Sequence, residues 1–291
     1  VSAYCNAGFD ILGFLKPDAS LELFVGDPLV CLTICCLIIL GGIGFIVTVD
    51  LYNWGRKRVR KEERRPHLTL HTRIVLVSTA SLLVLGTVLT LGLEYDHTLK
   101  DLNFWEKLNA SFFQSVTART AGYATIPQGE LGDATKLVTI ILMFIGASPS
   151  STGGGIKTTT FVVLVATVVS ISRGRDETVI NKRRVDKSVV YRAMTIVAMA
   201  FLVIAITSGV IMVTTPPEVS AIDAVYEAVS AFGTVGLTTG LTPDLSIVAK
   251  ILVMLTMFIG RVGPISLVLA LTMKHSGGPG KILPEGKVIV G

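Results

Sequence analysis

Thr117-Ala118-Arg119-Thr120-Ala121-Gly122-Tyr123 is the stretch on which the fold of this chain turns. Its Thr-Ala-Gly centre has an echo on either side, Asn6-Ala7-Gly8-Phe9 and Thr234-Val235-Gly236-Leu237, and the glycines at 8, 122 and 236 stand 114 residues apart. A second marker keeps that period: Met143-Phe144-Ile145-Gly146 returns as Met257-Phe258-Ile259-Gly260. Two unrelated markers with one spacing define an internal repeat. In each copy a long apolar run comes first (Ile74–Leu93, Ala193–Val213), followed by a short, moderately apolar segment (Phe104–Val116, Ala221–Phe232). The glycine segment and a second, glycine-interrupted apolar run complete the copy. The short segments fall below the roughly 20 residues that cross a bilayer, so the pattern predicts helix, re-entrant half-helix, loop, helix. Irregular backbone at membrane depth is tolerated only where it is buried in protein or lines a water-filled cavity.

Composition agrees with a membrane chain. Hydrophobic residues make up 51%, charged residues 16%, and the mean hydropathy is +0.67, against about 25% charge in an ordinary soluble domain. Leu29–Val49, Leu137–Ile145 with Phe161–Ile171, and Ile247–Ile259 with Ile265–Met273 supply further apolar runs. The expected class is an all-α, multi-pass protein of the cell membrane.

The net charge of +5 does not indicate nucleic acid, because the positive residues fall in two blocks between apolar runs, Trp54–His67 and Ser172–Arg192. Such blocks mark cytoplasmic loops, and the connections at 94–104 and 214–220 then face outside. A basic loop is a solvated face, or it docks a cytosolic subunit or anionic membrane lipids. Cys5, Cys31, Cys35 and Cys36 show no metal-ligand spacing and read as small reduced residues. The four histidines form no motif, and no zinc, nucleophile-elbow or paired-aspartate signature lies in a span, so an intramembrane enzyme is not expected and neither is a cofactor. Val1 opens within a motif-like stretch, which reads as an N-terminally truncated chain of about two and a half repeats.

A pore that strips water from a monovalent cation needs oxygen ligands at short, equal distances, and backbone carbonyls provide them. Glycine permits the backbone geometry, and small or β-branched neighbours such as Ala121 and Val235 let strands approach closely. A half-helix ending at the loop directs its negative dipole end at the cavity.

With these residues in view, Cys5–Asp10, Thr117–Tyr123 and Ser230–Gly240 resemble the second, third and fourth filter loops of the Trk/Ktr/HKT superfamily of potassium transporters, and Leu283–Gly291 resembles the ending of the Ktr-type pore subunit. The resemblance covers nearly the whole chain and implies repeated helix–pore helix–filter loop–helix units around a pseudo-fourfold pore. Residues 1–53 would be the remainder of the second repeat, 54–68 a basic cytoplasmic loop, 69–171 the third repeat with an intramembrane loop at 146–157, 172–190 a second basic loop, 191–274 the fourth repeat and 275–291 a cytoplasmic tail. Carbonyls near Asn6, Ala7, Gly8, Thr120, Ala121, Gly122, Thr234, Val235 and Gly236 would bind potassium, the substrate, with sodium as a coupling ion. The partners implied are a second copy in a homodimer and a cytosolic nucleotide-binding regulatory subunit. A Trk-type subunit and a non-conducting remnant are the competing readings.

Gly146-Ala147-Ser148-Pro149-Ser150-Ser151-Thr152-Gly153-Gly154-Gly155-Ile156-Lys157 breaks a spanning run, since glycines and a proline interrupt a helix. The resemblance makes it a gating loop beneath the filter, with Gly153, Gly154, Gly155 and Lys157 as its working residues; a passive kink is the alternative. Lys157 before Thr158 lacks the order of a phosphate-binding loop. Arg261 follows the second marker inside an apolar run, where a charge is costly and is a functional hypothesis by default. The resemblance makes it an arginine below the filter that faces the gating loop as an electrostatic barrier; a structural ion pair with Asp223 or Glu227 is the alternative. Arg119 reads as a brace at a half-helix end.

Overall fold

The computed structural model describes residues 1–11, 20–60, 67–175, 177–215 and 219–263. Among these lie nine α-helices: α1 (Pro28–Gly42), α2 (Phe45–Val59), α3 (Leu70–Glu94), α4 (Phe104–Thr117), α5 (Asp133–Phe144), α6 (Thr158–Ser172), α7 (Lys187–Thr214), α8 (Ala221–Gly233) and α9 (Ile247–Val262). A small antiparallel hairpin, β1 (Val179–Ile180) with β2 (Arg183–Arg184), joins α6 to α7.

Local sequence sets the helix starts. The Thr69 hydroxyl accepts the Thr72 N–H at the head of α3, the Asp186 carboxylate accepts Ser188 N–H at α7, and the Ser246 hydroxyl accepts Ala249 N–H at α9. Asn103 and Glu106 form a reciprocal capping box on α4. With 25 and 28 residues, α3 and α7 are long and apolar enough to cross a membrane. Each buries a single stripe: in α3 it is Thr72, Val75, Thr79, Leu83, Gly86 and Thr90, while Val77, Val84, Leu85 and Val88 point outward. That is a helix with protein on one side and lipid on the other.

The half-helices bury differently. In α8 every residue from Tyr226 to Gly233 is buried, and in α4 so are Ala110, Ser111 and Phe113 to Thr117. Helices buried all round belong to the interior. The larger core packs Tyr226, Phe232 and Val229 of α8 against Met143 of α5, Ile211 of α7 and Val253 of α9, and the smaller one packs Phe113 and Val116 of α4 against Cys31 and Cys35 of α1. The element order α3–α4–loop–α5 returns as α7–α8–loop–α9.

Three sequence expectations need correction. The run Leu29–Val49 is not one helix: α1 and α2 meet at an angle of 97°. The break falls at Gly44, whose φ of +88° only glycine adopts without strain, and a Cβ there would overlap the Pro149 carbonyl oxygen. The basic loop at 54–68 begins inside a helix, because α2 runs to Val59 and carries Arg56, Lys57 and Arg58 at its negative C-terminal end. The segment 172–190 holds the hairpin, with Asn181 and Lys182 both at positive φ in its two-residue turn, and also the first turn of α7. The expected run Ile265–Met273, the tail 275–291 and residues 61–66 lie outside the described residues.

Candidate functional site

The three glycine segments come together. In each, residues two apart take positive φ: Asn6 (50°) and Gly8 (70°), Thr120 (72°) and Gly122 (87°), Thr234 (50°) and Gly236 (92°). Positive φ is uncommon outside glycine and for a β-branched residue such as threonine it marks a constrained site. The residue between is held from behind by its amide: Ala7 N–H donates to the Ser2 carbonyl at 3.1 Å, Ala121 N–H to Thr117 at 3.0 Å, and Val235 N–H to Ser230 at 2.9 Å. A Cβ placed on Gly122 would overlap the Val235 carbonyl oxygen and lie 3.4 Å from the α-carbons of both Gly236 and Gly8. A Cβ on Gly8 would lie 2.7 Å from the Ala121 carbonyl oxygen. The turns therefore meet backbone to backbone, the Gly122 turn touching the other two, with α4 and α8 ending just before the second and third of them. Ala121 and Val235 are buried, and Ala7 is exposed.

Outside the glycines lies a cleft of 340 Å³ lined by Gly8, Gly122 and Gly236 together with Asp10, Glu22 and Gln128. Gln114, Gln128 and Tyr226, which the sequence does not single out, help fix its walls. Gln114 and Gln128 exchange hydrogen bonds at 2.7 and 3.1 Å, and Tyr226 Oη donates to Gln128 Oε1 at 2.9 Å, tying α4 to α8. The Glu227 carboxylate accepts from the Thr238 and Thr242 hydroxyls and the Thr239 amide, which fastens the strand leaving the last turn to its own half-helix. Lys136 of α5 pairs with Asp223 of α8 at 2.8 Å. Both carboxylates proposed as partners for Arg261 are thus engaged elsewhere.

Inside the glycines lies the broken span between α5 and α6. Ile145 and Ile156 close its neck as a parallel bridge. A Cβ on Gly153 would overlap the Thr120 hydroxyl, and one on Gly154 the Thr234 hydroxyl, so the loop backbone lies directly against the side chains at the base of the Gly122 and Gly236 turns. A Cβ on Gly155, at φ +68°, would lie 3.4 Å from the α-carbon of Gly233. Lys157 Nζ donates to the Gly153 carbonyl at 2.7 Å, and Arg261 lies in the last turn of α9. The loop is also stitched to the other broken span: Ser148 N–H donates to the Gly42 carbonyl at 3.1 Å, Phe45 N–H to Ser150 at 2.9 Å, and the Thr152 hydroxyl to Tyr4 at 3.2 Å. Arg119 is buried at the end of α4, its amide donates to Val116, and its Nε has no hydrogen-bond partner among the described residues.

Spanning helices, short buried helices and backbone turns that meet between them define a multi-pass, all-α membrane protein. Residues 1–278 match the family model of the TrkH cation transport proteins, and the chain belongs to that family. It is therefore a multi-pass protein of the cell membrane, and its family is one of transporters and not of enzymes. The Ktr system potassium uptake protein B of Bacillus subtilis is 38% identical over 293 residues, and the potassium/sodium uptake protein NtpJ of Enterococcus hirae is 38% identical over 297; each alignment takes in 100% of this chain. The chain spans 62% of the length of both relatives. The potassium transporter TrkH of Vibrio parahaemolyticus has the same fold, with a TM-score of 0.69 at 19% identity over 94% of this chain and 57% of that one.

Proposed function

We propose that this chain forms most of a potassium-conducting pore subunit that serves potassium uptake. The observation that carries the reading is the meeting of the three turns at Gly8, Gly122 and Gly236 with alternate residues at positive φ. An ordinary strand points successive carbonyls to opposite sides. Alternating left-handed and ordinary residues turn them toward one side, and carbonyls on one side of several strands replace the hydration shell of a cation. Asn6-Ala7-Gly8, Thr120-Ala121-Gly122 and Thr234-Val235-Gly236 supply these oxygens, and the half-helix ends of α4 and α8 add negative potential at the cavity. No carboxylate is needed at the ion itself.

Gly153, Gly154 and Gly155 form the gate, pressed against Thr120 and Thr234, and Lys157 holds the loop through the Gly153 carbonyl. Arg261 acts as an inner electrostatic barrier that keeps the closed pathway from leaking. The working protein is a homodimer with a cytosolic nucleotide-binding regulatory subunit on its basic face. Sodium is the coupling ion, in line with the two cations in the name of the E. hirae relative. The deciding experiment places the full-length protein in cells that need an added potassium transporter to grow at low potassium. Growth and rubidium uptake are expected, and Gly236→Ser should reduce the preference for potassium over sodium. Unchanged preference in that variant sinks the filter assignment.

A further inference from the structure

One step further out than the glycines, a second regularity appears. Phe9, Tyr123 and Leu237 each follow a filter glycine, and each carbonyl oxygen accepts a hydroxyl. Thr117 Oγ1 donates to the Tyr123 carbonyl at 2.6 Å, Ser230 Oγ donates to the Leu237 carbonyl at 2.6 Å, and Tyr123 Oη donates to the Phe9 carbonyl at 3.1 Å. The routes differ. Thr117 is the last residue of α4, and Ser230 lies in the last turn of α8, one residue out of register with Thr117 in the 114-residue repeat. Tyr123 reaches across from the neighbouring turn. Three unlike side chains meet one requirement, which separates the feature from a contact that simply recurs with the repeat.

Thr117 and Ser230 also grip the inner side of the glycine, since their own carbonyls accept Ala121 N–H and Val235 N–H. One residue thus holds a turn at both ends. Ser2 stands where Ser230 does in the preceding copy; its carbonyl accepts Ala7 N–H, but its hydroxyl is buried without a partner among the described residues. The acceptor it would match, the Phe9 carbonyl, is taken by Tyr123.

We infer that Thr117, Ser230 and Tyr123 are positioning residues that clamp the filter turns and so set ion preference, with Ser2 as a reserve donor for the second turn. The inference rests on the filter reading above. A carbonyl pinned by a hydroxyl cannot swing to follow a smaller ion, so the spacing of the ligands inside it stays fixed.

The test uses the full-length protein in liposomes, with potassium and sodium uptake measured separately and scaled to inserted protein. Ser230→Ala and Thr117→Val should each lower the potassium-over-sodium preference about five-fold, the weight of one net hydrogen bond, and Thr117→Ser should restore it. Tyr123→Phe alone should change the preference by less than about two-fold, because Ser2 takes over, and adding Ser2→Ala should bring the drop to about five-fold. If Ser230→Ala and Thr117→Val slow both ions equally, the residues are merely structural and the inference falls, as it does if Thr117→Ser fails to rescue. The tyrosine pair decides the matter alone should the threonine variant not insert. Absence of potassium preference in the unaltered protein overturns the filter reading itself, whereas preference lost in Gly236→Ser but kept in the clamp variants overturns the clamp only.

Discussion

The two sides of the clustered glycines at 8, 122 and 236 are built by opposite rules. On the outer side the carbonyls of Phe9, Tyr123 and Leu237 accept hydroxyls, and the amide–phenol group of Gln114, Gln128 and Tyr226 locks one half-helix to the next. On the inner side the polar atoms of the Asn6, Thr120 and Thr234 side chains are buried and have no hydrogen-bond partner among the described residues. A buried polar group without a partner costs about 1–3 kcal/mol, and it persists where it serves an ion, water or a moving segment. The outer side is a fixed frame, and the inner side is a polar surface facing a loop of glycines.

The largest expected effect tests the frame. Gln128→Leu removes the acceptor of Tyr226 Oη and both bonds to Gln114, leaving those groups buried and unpaired. A loss of about 3 kcal/mol follows, read as a clear drop in thermal unfolding temperature of the detergent-solubilised full-length protein. A drop no larger than that of an exposed-residue variant would mean the frame is not held there.

The loop comes next. Gly153→Ala places a methyl against the Thr120 hydroxyl and the Ala147 side chain. Overpacking of this kind costs about 1–3 kcal/mol, here charged to the seated loop and not to the whole fold. Ion flux should rise several-fold while the unfolding temperature falls less than in Gln128→Leu. Reduced flux in a well-inserted protein would show that the loop does not obstruct the pathway.

The contrast also explains what the sequence disclosed. Glycines at 8, 122 and 236, with apolar runs of fixed order between them, were enough to identify the family and its all-α membrane class, because backbone that needs glycine at depth leaves a mark in composition. The break between α1 and α2 leaves a weaker mark, glycines with no proline or polar residue beside them. Gly41, Gly42 and Gly44 sit in an evenly apolar run, and the bend depends on Pro149 and Ser150 arriving from a hundred residues away. The frame was hidden for a related reason. Serine, threonine and glutamine in a half-helix look alike in sequence whether they face lipid, solvent or a carbonyl seven residues on, and only the folded chain shows Ser230 bonded to Leu237. The candidate filter positions could be picked out one by one, but the groups that hold them could not.

The smallest expected effect separates the two sides most cleanly. Thr234→Val keeps the shape and the β-branch of a residue already held at φ 50°, and removes only a hydroxyl that has no partner among the described residues. Taking away an unsatisfied buried hydroxyl is close to neutral for folding, within about 0.5 kcal/mol and of either sign. The unfolding temperature should stay where it is. Flux should not: the hydroxyl lies between the filter and Gly154, so its loss should slow potassium uptake several-fold with little change in stability. If Thr234→Val destabilised the protein as much as Gln128→Leu, the hydroxyl would have to be bonded in the folded state, and the inner side would be a second frame instead of a free polar surface.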